Sequence, residues 1–287
     1  MNIILGFYGP AEACSTCQCG DPTLTLMGNE KPFQGRLRVS GDFRYRTEDV
    51  GTPGINQNKL QEFRYTLNSA IAPVERLFLG LTLPFLQKNL EHVNGGEDHT
   101  FEFGDVDLRA KVFLSAPRAA NHLYGLLGGI RFPTAPEVKD TSGTPLDFDV
   151  QPGTGAWAFH AGPWYSYFHY PWSLYVSSEY QEATEGNQNL QPGNALLSTV
   201  TTQYQTSYKV AFQFGLDSLF SGKDATNGTS DPDSGGFILF ASPGLVLSPF
   251  VDWIFHVSVQ VPVFNHLNGE HGQGLTILTG VTYDFSI

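Results

Sequence analysis

The sequence predicts an all-β fold, a transmembrane antiparallel up-and-down β-barrel of 12 strands that follows a short cysteine-containing N-terminal segment. Two patterns predict this class. Apolar and polar residues alternate over segments of about 10 to 14 residues, and short and long connections alternate between those segments. A third observation, the unusual composition, excludes most other classes of protein.

The 287 residues are only 15% charged but 13% aromatic, whereas a soluble domain is roughly 25% charged. Strands that alternate apolar and polar residues across a membrane produce such a composition. No window holds the 18 or more apolar residues that a transmembrane helix requires. Because 28 acidic residues outnumber 16 basic ones, the charge balance argues against a nucleic-acid partner.

The alternation is clearest in residues 251–263, where one face carries seven large apolar residues without a break. The other face is mostly polar and includes His256 and Gln260. A strand of this length crosses a bilayer with some overhang, since about 9–11 residues suffice, whereas typical globular strands have about 5–6. Apolar faces this long cannot all pack into one core, which favours a membrane barrel over a soluble sandwich.

The predicted strands alternate between tight and long connections along the whole chain. We place them at 34–46, 60–71, 74–87, 100–115, 121–133, 154–168, 171–182, 194–203, 206–218, 236–247, 250–263 and 274–287. The long connections are 47–59, 88–99, 134–153, 183–193, 219–235 and 264–273. This arrangement predicts short periplasmic turns, longer external loops and periplasmic termini. The strand at 194–203 is crowded with Ser, Thr, Gln and Asn, and without it the strand count would be odd.

Residues 1–30 form a separate N-terminal segment, and residues 31–287 form the barrel. The apolar run Ile3–Tyr8 and the ending Ala11-Glu12-Ala13 resemble the tail of a signal peptide. The cysteines Cys14, Cys17 and Cys19 follow directly and could form a disulfide with one spare thiol, hold Zn²⁺ or Cu(I), or carry a lipid. No histidine follows Cys17 directly, so covalent haem attachment is not supported.

The last strand runs to the end of the chain, with apolar and aromatic residues such as Tyr283, Phe285 and Ile287 on one face. Such a strand resembles the signal read by the bacterial barrel-assembly machinery. The predicted location is therefore the bacterial outer membrane, with its lipid as one partner and the assembly machinery as another during biogenesis.

In each strand, the alternate positions that carry polar residues are predicted to face the barrel interior. The candidate pore-lining residues are Arg36, Arg38, Asp42, Arg44, Arg46, Arg64, Arg76, Asp105, Asp107, Arg109, Lys111, Asp252, His256, Gln260 and Asp284. The arginines all precede residue 132, so a basic wall would face a neutral-to-acidic one across the lumen. The alternative is that these charges pair with Asp42, Glu62, Asp105 and Asp107 as packing in a narrow barrel.

Several segments resemble outer-membrane proteins associated with meta-pathway phenol degradation. Gly104–Lys111 is similar to the strand G-D-[IV]-x-[LV]-x-[AL]-[KR] of that family, and Gly129–Thr134 resembles its G-x-x-x-P-T-G strand end, although Ala135 replaces the last glycine. Pro152–Gly155 and Val261–Phe264, with Asn268-Gly269 beyond them, follow in matching order. The resemblance covers about residues 30–287 and implies an outer-membrane channel or transporter, with no catalytic residues to carry over.

We therefore expect passive passage of small, aromatic or otherwise apolar solutes, with no enzymatic activity. His266 and His271 suggest a hydrolase, but no serine lies between Asn265 and Gln273 to be activated. No cofactor is expected apart from a metal at the cysteines. The alternative function is a barrel that acts as a sheath or anchor and holds a periplasmic metal or redox partner through Cys14, Cys17 and Cys19.

Overall fold

The computed structural model describes residues 36–51, 57–92, 95–115, 121–269 and 271–286. The described chain is almost entirely β-structure. Its strands are β1 (Arg36–Val50), β2 (Asn58–Val74), β3 (Leu77–Glu91), β4 (Glu97–Phe103), β5 (Val106–Phe113), β6 (His122–Phe132), β7 (Ala158–His169), β8 (Trp172–Ala183), β9 (Leu190–Gln191), β10 (Ala195–Ser207), β11 (Val210–Ser221), β12 (Ala225–Thr226), β13 (Thr229–Ser230), β14 (Gly236–Leu247), β15 (Trp253–Leu267) and β16 (His271–Ser286). Two short 3₁₀ turns span Phe148–Val150 and Asn187–Asn189.

The main sheet is closed and antiparallel. β1 pairs with both β2 and β16, which joins the first and last strands of the barrel. β4 and β5 both pair with β3 and together form one barrel strand, interrupted at Gly104 and Asp105. The 13 strands of this sheet therefore make a 12-strand barrel, as predicted. The polar segment at 194–203 is confirmed as a strand, since it lies in β10. β9, β12 and β13 form a small separate sheet in the external loops.

The barrel is apolar outside and polar inside. Leu67, Leu126 and Phe220 are each more than half exposed on the outer face, while Arg46 and Glu62 are buried inside. A broad apolar surface on every strand would be unfavourable in water and is favourable in lipid. Among the described residues, no helix is long and apolar enough to cross a membrane.

Aromatic pairs gather on the outer face near the short turns. The rings of Trp172 and Tyr204 lie 4.7 Å apart, and those of Trp253 and Tyr283 lie 4.9 Å apart. Amphipathic rings at one height around a barrel mark the boundary between hydrocarbon and headgroups. The strands at this end are joined by the short turns, as the sequence predicted for the periplasmic side.

Three predicted long loops are shorter than expected. β1 continues to Val50 and β2 begins at Asn58. β3 continues to Glu91 and β4 begins at Glu97, while β15 continues to Leu267 and β16 begins at His271. The predictions of loops at 47–59, 88–99 and 264–273 were therefore wrong in extent. These hairpins continue beyond the membrane, where polar residues occupy both faces, so the alternating pattern that identifies a strand is lost while backbone pairing continues.

Candidate channel interior

The arginines of β1 lie inside the barrel and are paired. Arg38 donates from Nε and Nη2 to the two carboxylate oxygens of Asp284, at 2.5 and 2.6 Å. Arg38 on β1 lies directly opposite Asp284 on β16 in the register that closes the barrel. A two-pronged guanidinium–carboxylate contact is strong and directional, so it fastens the first strand to the last.

Glu62 of β2 is the centre of the next cluster. Its carboxylate accepts hydrogen bonds from Arg44 and from Nη2 of Arg46, the latter at 3.0 Å, and Nε of Arg64 lies 3.9 Å away. Arg46 also lies 3.7 Å from Glu48. Glu62 is fully buried. One carboxylate thus neutralises part of the charge of three arginines in a space from which bulk water is largely excluded.

Asp42 of β1 and His256 of β15 lie side by side on the inner wall, on either side of Gly280 of β16. The Asp42 carboxylate accepts hydrogen bonds from the Ser40 hydroxyl at 3.0 Å and from the Asn68 amide at 2.5 Å. Nε2 of His256 lies 3.6 Å from its other oxygen. The hydrogen bonds to Asp42 therefore come from neutral donors, in contrast to Glu62, which is surrounded by arginines.

A second charged cluster occupies β5 to β8. Arg109 contacts Asp107 at 3.0 Å and Glu179 at 3.3 Å. His160 lies between the same two carboxylates, with one ring nitrogen 3.5 Å from each. Arg131 is more loosely placed, with Nε 4.0 Å from Asp107. Cations and carboxylates are interleaved here as well, so neither sign dominates this wall.

The loop at 133–157 folds back toward the interior and is held by buried contacts. The backbone N–H of Ala135 donates to Asp105 at 3.0 Å, and the Lys88 ammonium donates to the carbonyl of Gln151 at 2.7 Å. Val150 is fully buried with Leu60 of β2 and other apolar side chains. This loop therefore covers part of the external end of the barrel.

At its tip, the same loop forms a compact turn around Asp140. Its carboxylate accepts hydrogen bonds from the Ser142 hydroxyl at 2.6 Å and from the backbone N–H of Thr144 at 2.9 Å. The hydrogen bond from the Ser142 side chain, followed by that from the Thr144 backbone, lowers the pKa of Asp140 below its ordinary value of 3.8. The turn is therefore stabilised when this exposed carboxyl group is deprotonated.

Near the short turns, one side of the interior is apolar. The cluster comprises Ala70, Ala72, Phe78, Phe113, Leu123, Leu127, Trp164 and Tyr175, which are all buried. The rings of Phe113 and Trp164 meet edge to face at 4.7 Å. Lys111 reaches into this cluster with its ammonium 3.8 Å from the Trp164 ring centre, so its charge faces an aromatic surface.

The structure places most of the predicted interior residues inside the barrel. Those that are buried on the inner face are Arg38, Asp42, Arg44, Arg46, Arg64, Asp105, Asp107, Arg109, Lys111, His256, Gln260 and Asp284. Arg36 is the first residue of β1, and its side chain lies outside the described ones. Whether these residues line a path for solutes stays a prediction.

Two predicted interior residues lie elsewhere. Arg76 is exposed in the turn between β2 and β3, and Asp252 is half-buried in the turn before β15. Both predictions began a strand three residues too early, at residue 74 instead of Leu77 and at residue 250 instead of Trp253. The alternation of residue types does not itself mark where backbone pairing begins or stops. Two residues of the turns were therefore assigned to the inward face of a strand.

Sequence reasoning missed two interior charges, Glu48 and Lys88, because both fell in predicted loops. Each continues the inward parity of its strand, Glu48 after Arg46 and Lys88 after Leu86. Cys14, Cys17 and Cys19 lie outside the described residues, so a metal site there stays a prediction. Within the described ranges, no group of three or more His, Cys, Asp or Glu side chains could hold a metal ion.

No protein-family model matches the sequence, and neither does any curated protein. Among solved structures, the chain is similar to an outer-membrane channel from Pseudomonas putida F1 of the group COG4313, with a TM-score of 0.74, 13% identity, and coverage of 89% of this chain and 97% of that one. It is also similar to a variant of the monoaromatic hydrocarbon channel TodX, with a TM-score of 0.50, 10% identity, and coverage of 89% and 91%. Together with the closed 12-strand barrel and its apolar outer face, these similarities identify the chain as a β-barrel of the bacterial outer membrane.

Proposed function

We propose that the barrel is a channel for the passive passage of small apolar solutes, including aromatic ones, across the outer membrane. The observation that carries the proposal is the inner apolar cluster around Phe113 and Trp164, which occupies one side of the lumen near the short turns. A wall for ions or sugars would present polar groups there. The two similar channels support a transport role, and TodX takes monoaromatic hydrocarbons by its own description.

The paired charges elsewhere in the lumen agree with this proposal. A large porin exposes its interior charges to a water-filled channel, whereas Arg46, Glu62 and Lys111 are almost fully buried here. A lumen with balanced and buried charges attracts neither anions nor cations strongly. We therefore expect a low ionic conductance and a preference for uncharged solutes, and we expect no enzymatic activity.

Uptake by intact cells tests the proposal, because the lipopolysaccharide leaflet slows apolar solutes that cross pure phospholipid freely. Cells that express the barrel should take up a radiolabelled monoaromatic hydrocarbon faster than cells that lack it. The variant Leu127→Asn places an amide in the inner apolar cluster and should reduce the added uptake several-fold. Leu127→Met keeps the volume and polarity of the site and should leave uptake unchanged. Equal uptake with and without the barrel would exclude the proposed function.

A further inference from the structure

A groove of about 520 Å³ crosses the lipid-facing surface of the barrel where the first and last strands meet. It spans β3, β2, β1, β16 and β15, so it lies across the β1–β16 pair that closes the sheet. The large side chains that line it belong to the outward faces of these strands: Phe43, Tyr65, Leu67, Phe85, Phe255 and Val281. The groove is therefore a feature of the outer wall and is separate from the lumen.

Gly41 keeps this groove open. It lines the groove on the outward face of β1, between the large side chains of Val39 and Phe43. Its φ lies outside the left-handed region, and an added Cβ would meet no heavy atom of the described residues within 4 Å. Neither the backbone nor the packing of the described chain therefore requires glycine here. What the missing side chain provides is space for a molecule from outside the chain.

The lining of the groove suits a hydrocarbon. Of the described residues that line it, Asp42 alone carries a charge, and its carboxylate accepts hydrogen bonds from Ser40 and Asn68 inside the barrel. On the outer side, the rings of Phe43 and Tyr65 lie 5.3 Å apart and form one wall. An unfilled groove would lose van der Waals contacts along these walls, and no charged group faces outward to bind a polar ligand.

The depth of the groove indicates which leaflet it faces. On β1, Val39 lies directly opposite Tyr283, whose ring pairs with Trp253 at the end of the barrel that carries the short turns. Gly41 is two residues further along the strand, about 7 Å from that aromatic boundary. This distance is less than half of a hydrocarbon core about 30 Å thick. Short turns mark the periplasmic side of such barrels, so the groove faces the periplasmic leaflet.

We propose that this groove binds one acyl chain of a phospholipid from the periplasmic leaflet. The groove is continuous with the lipid-facing surface, so a chain enters it from the surrounding membrane without crossing protein. The bound chain contacts strands on both sides of the β1–β16 closure and stabilises the barrel there. The site depends on the membrane location of the barrel and not on the passage of any solute through it.

Native mass spectrometry of the full chain, released from detergent micelles, tests the proposal. The protein is stripped of lipid and mixed with palmitoyl-oleoyl phosphatidylethanolamine. We expect one such lipid to stay bound to each barrel, whereas dihexanoyl phosphatidylethanolamine, which has the same headgroup but short chains, should not. Gly41→Phe fills the groove and should reduce the bound lipid about tenfold, as the loss of roughly ten carbon–carbon contacts predicts.

Gly128→Phe is the matched control. Gly128 lies on the outward face of β6, outside the groove, and an added Cβ there would meet only the carbonyl oxygen of His160, at 3.6 Å. This variant should bind the lipid as the unaltered protein does. A shift in gel mobility on heating verifies that each variant is folded. Added long-chain lipid should raise the thermal midpoint of the unaltered barrel, because a ligand of the folded state stabilises it, and should not raise that of Gly41→Phe.

Four results would overturn the proposal. The first is undiminished lipid binding by folded Gly41→Phe, and the second is equal binding of the long-chain and short-chain lipids by the unaltered protein. The third is an unchanged thermal midpoint of the unaltered barrel with added lipid, which needs no variant to fold. The fourth is a dimer of the unaltered protein that Gly41→Phe converts to a monomer, because a second copy of the chain would then occupy the groove.

Discussion

Replacing Glu62 with Gln is the most direct test of whether the interior charges are paired structural groups or a hydrated pore lining. Glu62 is fully buried and accepts hydrogen bonds from Arg44 and Arg46. Two unit charges 4 Å apart attract by about 4 kcal/mol at an effective dielectric constant near 20. Removing one partner of a buried pair typically costs about 3–5 kcal/mol. Because Arg46 keeps Glu48 at 3.7 Å, we expect a loss near the lower end, about 3 kcal/mol.

Urea unfolding of the barrel in lipid vesicles, followed by tryptophan fluorescence, measures this loss. The matched control is Glu137→Gln, which removes one partner of the Glu137–Lys139 pair, 3.0 Å apart and partly exposed. An exposed pair contributes at most about 1 kcal/mol. The double variant Glu62→Gln/Arg44→Gln should recover part of the loss, since it removes an uncompensated cation. If Glu62→Gln costs no more than the control, water screens the interior charges and the reasoning is wrong.

Three further predictions concern the walls and the external loop. Arg38→Ala/Arg44→Ala should lower the thermal midpoint yet leave the ion selectivity in planar bilayers unchanged, because both arginines are paired; a shift toward cations would indicate an open basic path. Gly125→Ala should destabilise the barrel by about 1–3 kcal/mol in urea unfolding, since an added Cβ would lie 1.7 Å from a carbonyl oxygen on β5, whereas Gly41→Ala meets nothing within 4 Å. The turn at Asp140 gains stability above pH 3.8, because its pKa is lowered, and loses it as the pH falls further. The protection factors of the amides at 139–144, each corrected for the intrinsic exchange rate at that pH, should fall as the carboxyl group becomes protonated, and Asp140→Asn should abolish that pH dependence.

The sequence was sufficient to predict the barrel because a strand in lipid has only one arrangement for its polar residues. Once residues 36–46 were identified as a spanning strand, the arginines could only face inward, since an arginine on the lipid face at mid-membrane costs about 2–4 kcal/mol. Arg38, Arg44 and Arg46 are indeed inside. Alternation therefore predicts the face of a residue reliably wherever the strand lies within the membrane.

The strand ends and the ion pairs were not predictable in the same way. Beyond the membrane both faces of a hairpin are polar. The sequence around Glu48 and Lys88 therefore did not indicate that the strands continue that far. Pairing depends on register across the sheet as well as parity along a strand. Arg38 meets Asp284 only because β1 pairs with β16 at that position, and residues 246 apart share no local pattern. From the sequence alone, an open interior lined by charges and a packed interior of paired charges therefore both stood as alternatives.

The two kinds of interior surface show why a barrel rich in arginine is compatible with the proposed passage of apolar solutes. Each arginine cluster is organised around carboxylates, as at Glu62 and between Arg109 and Glu179, so the charges hold neighbouring strands together and project little net field into the lumen. Under the proposed function, two apolar surfaces favour the entry of apolar solutes. One is the cluster around Trp164, and the other is the buried cluster of Ala211, Val246 and Ile254 on another wall. A solute that meets both surfaces gains most by being apolar.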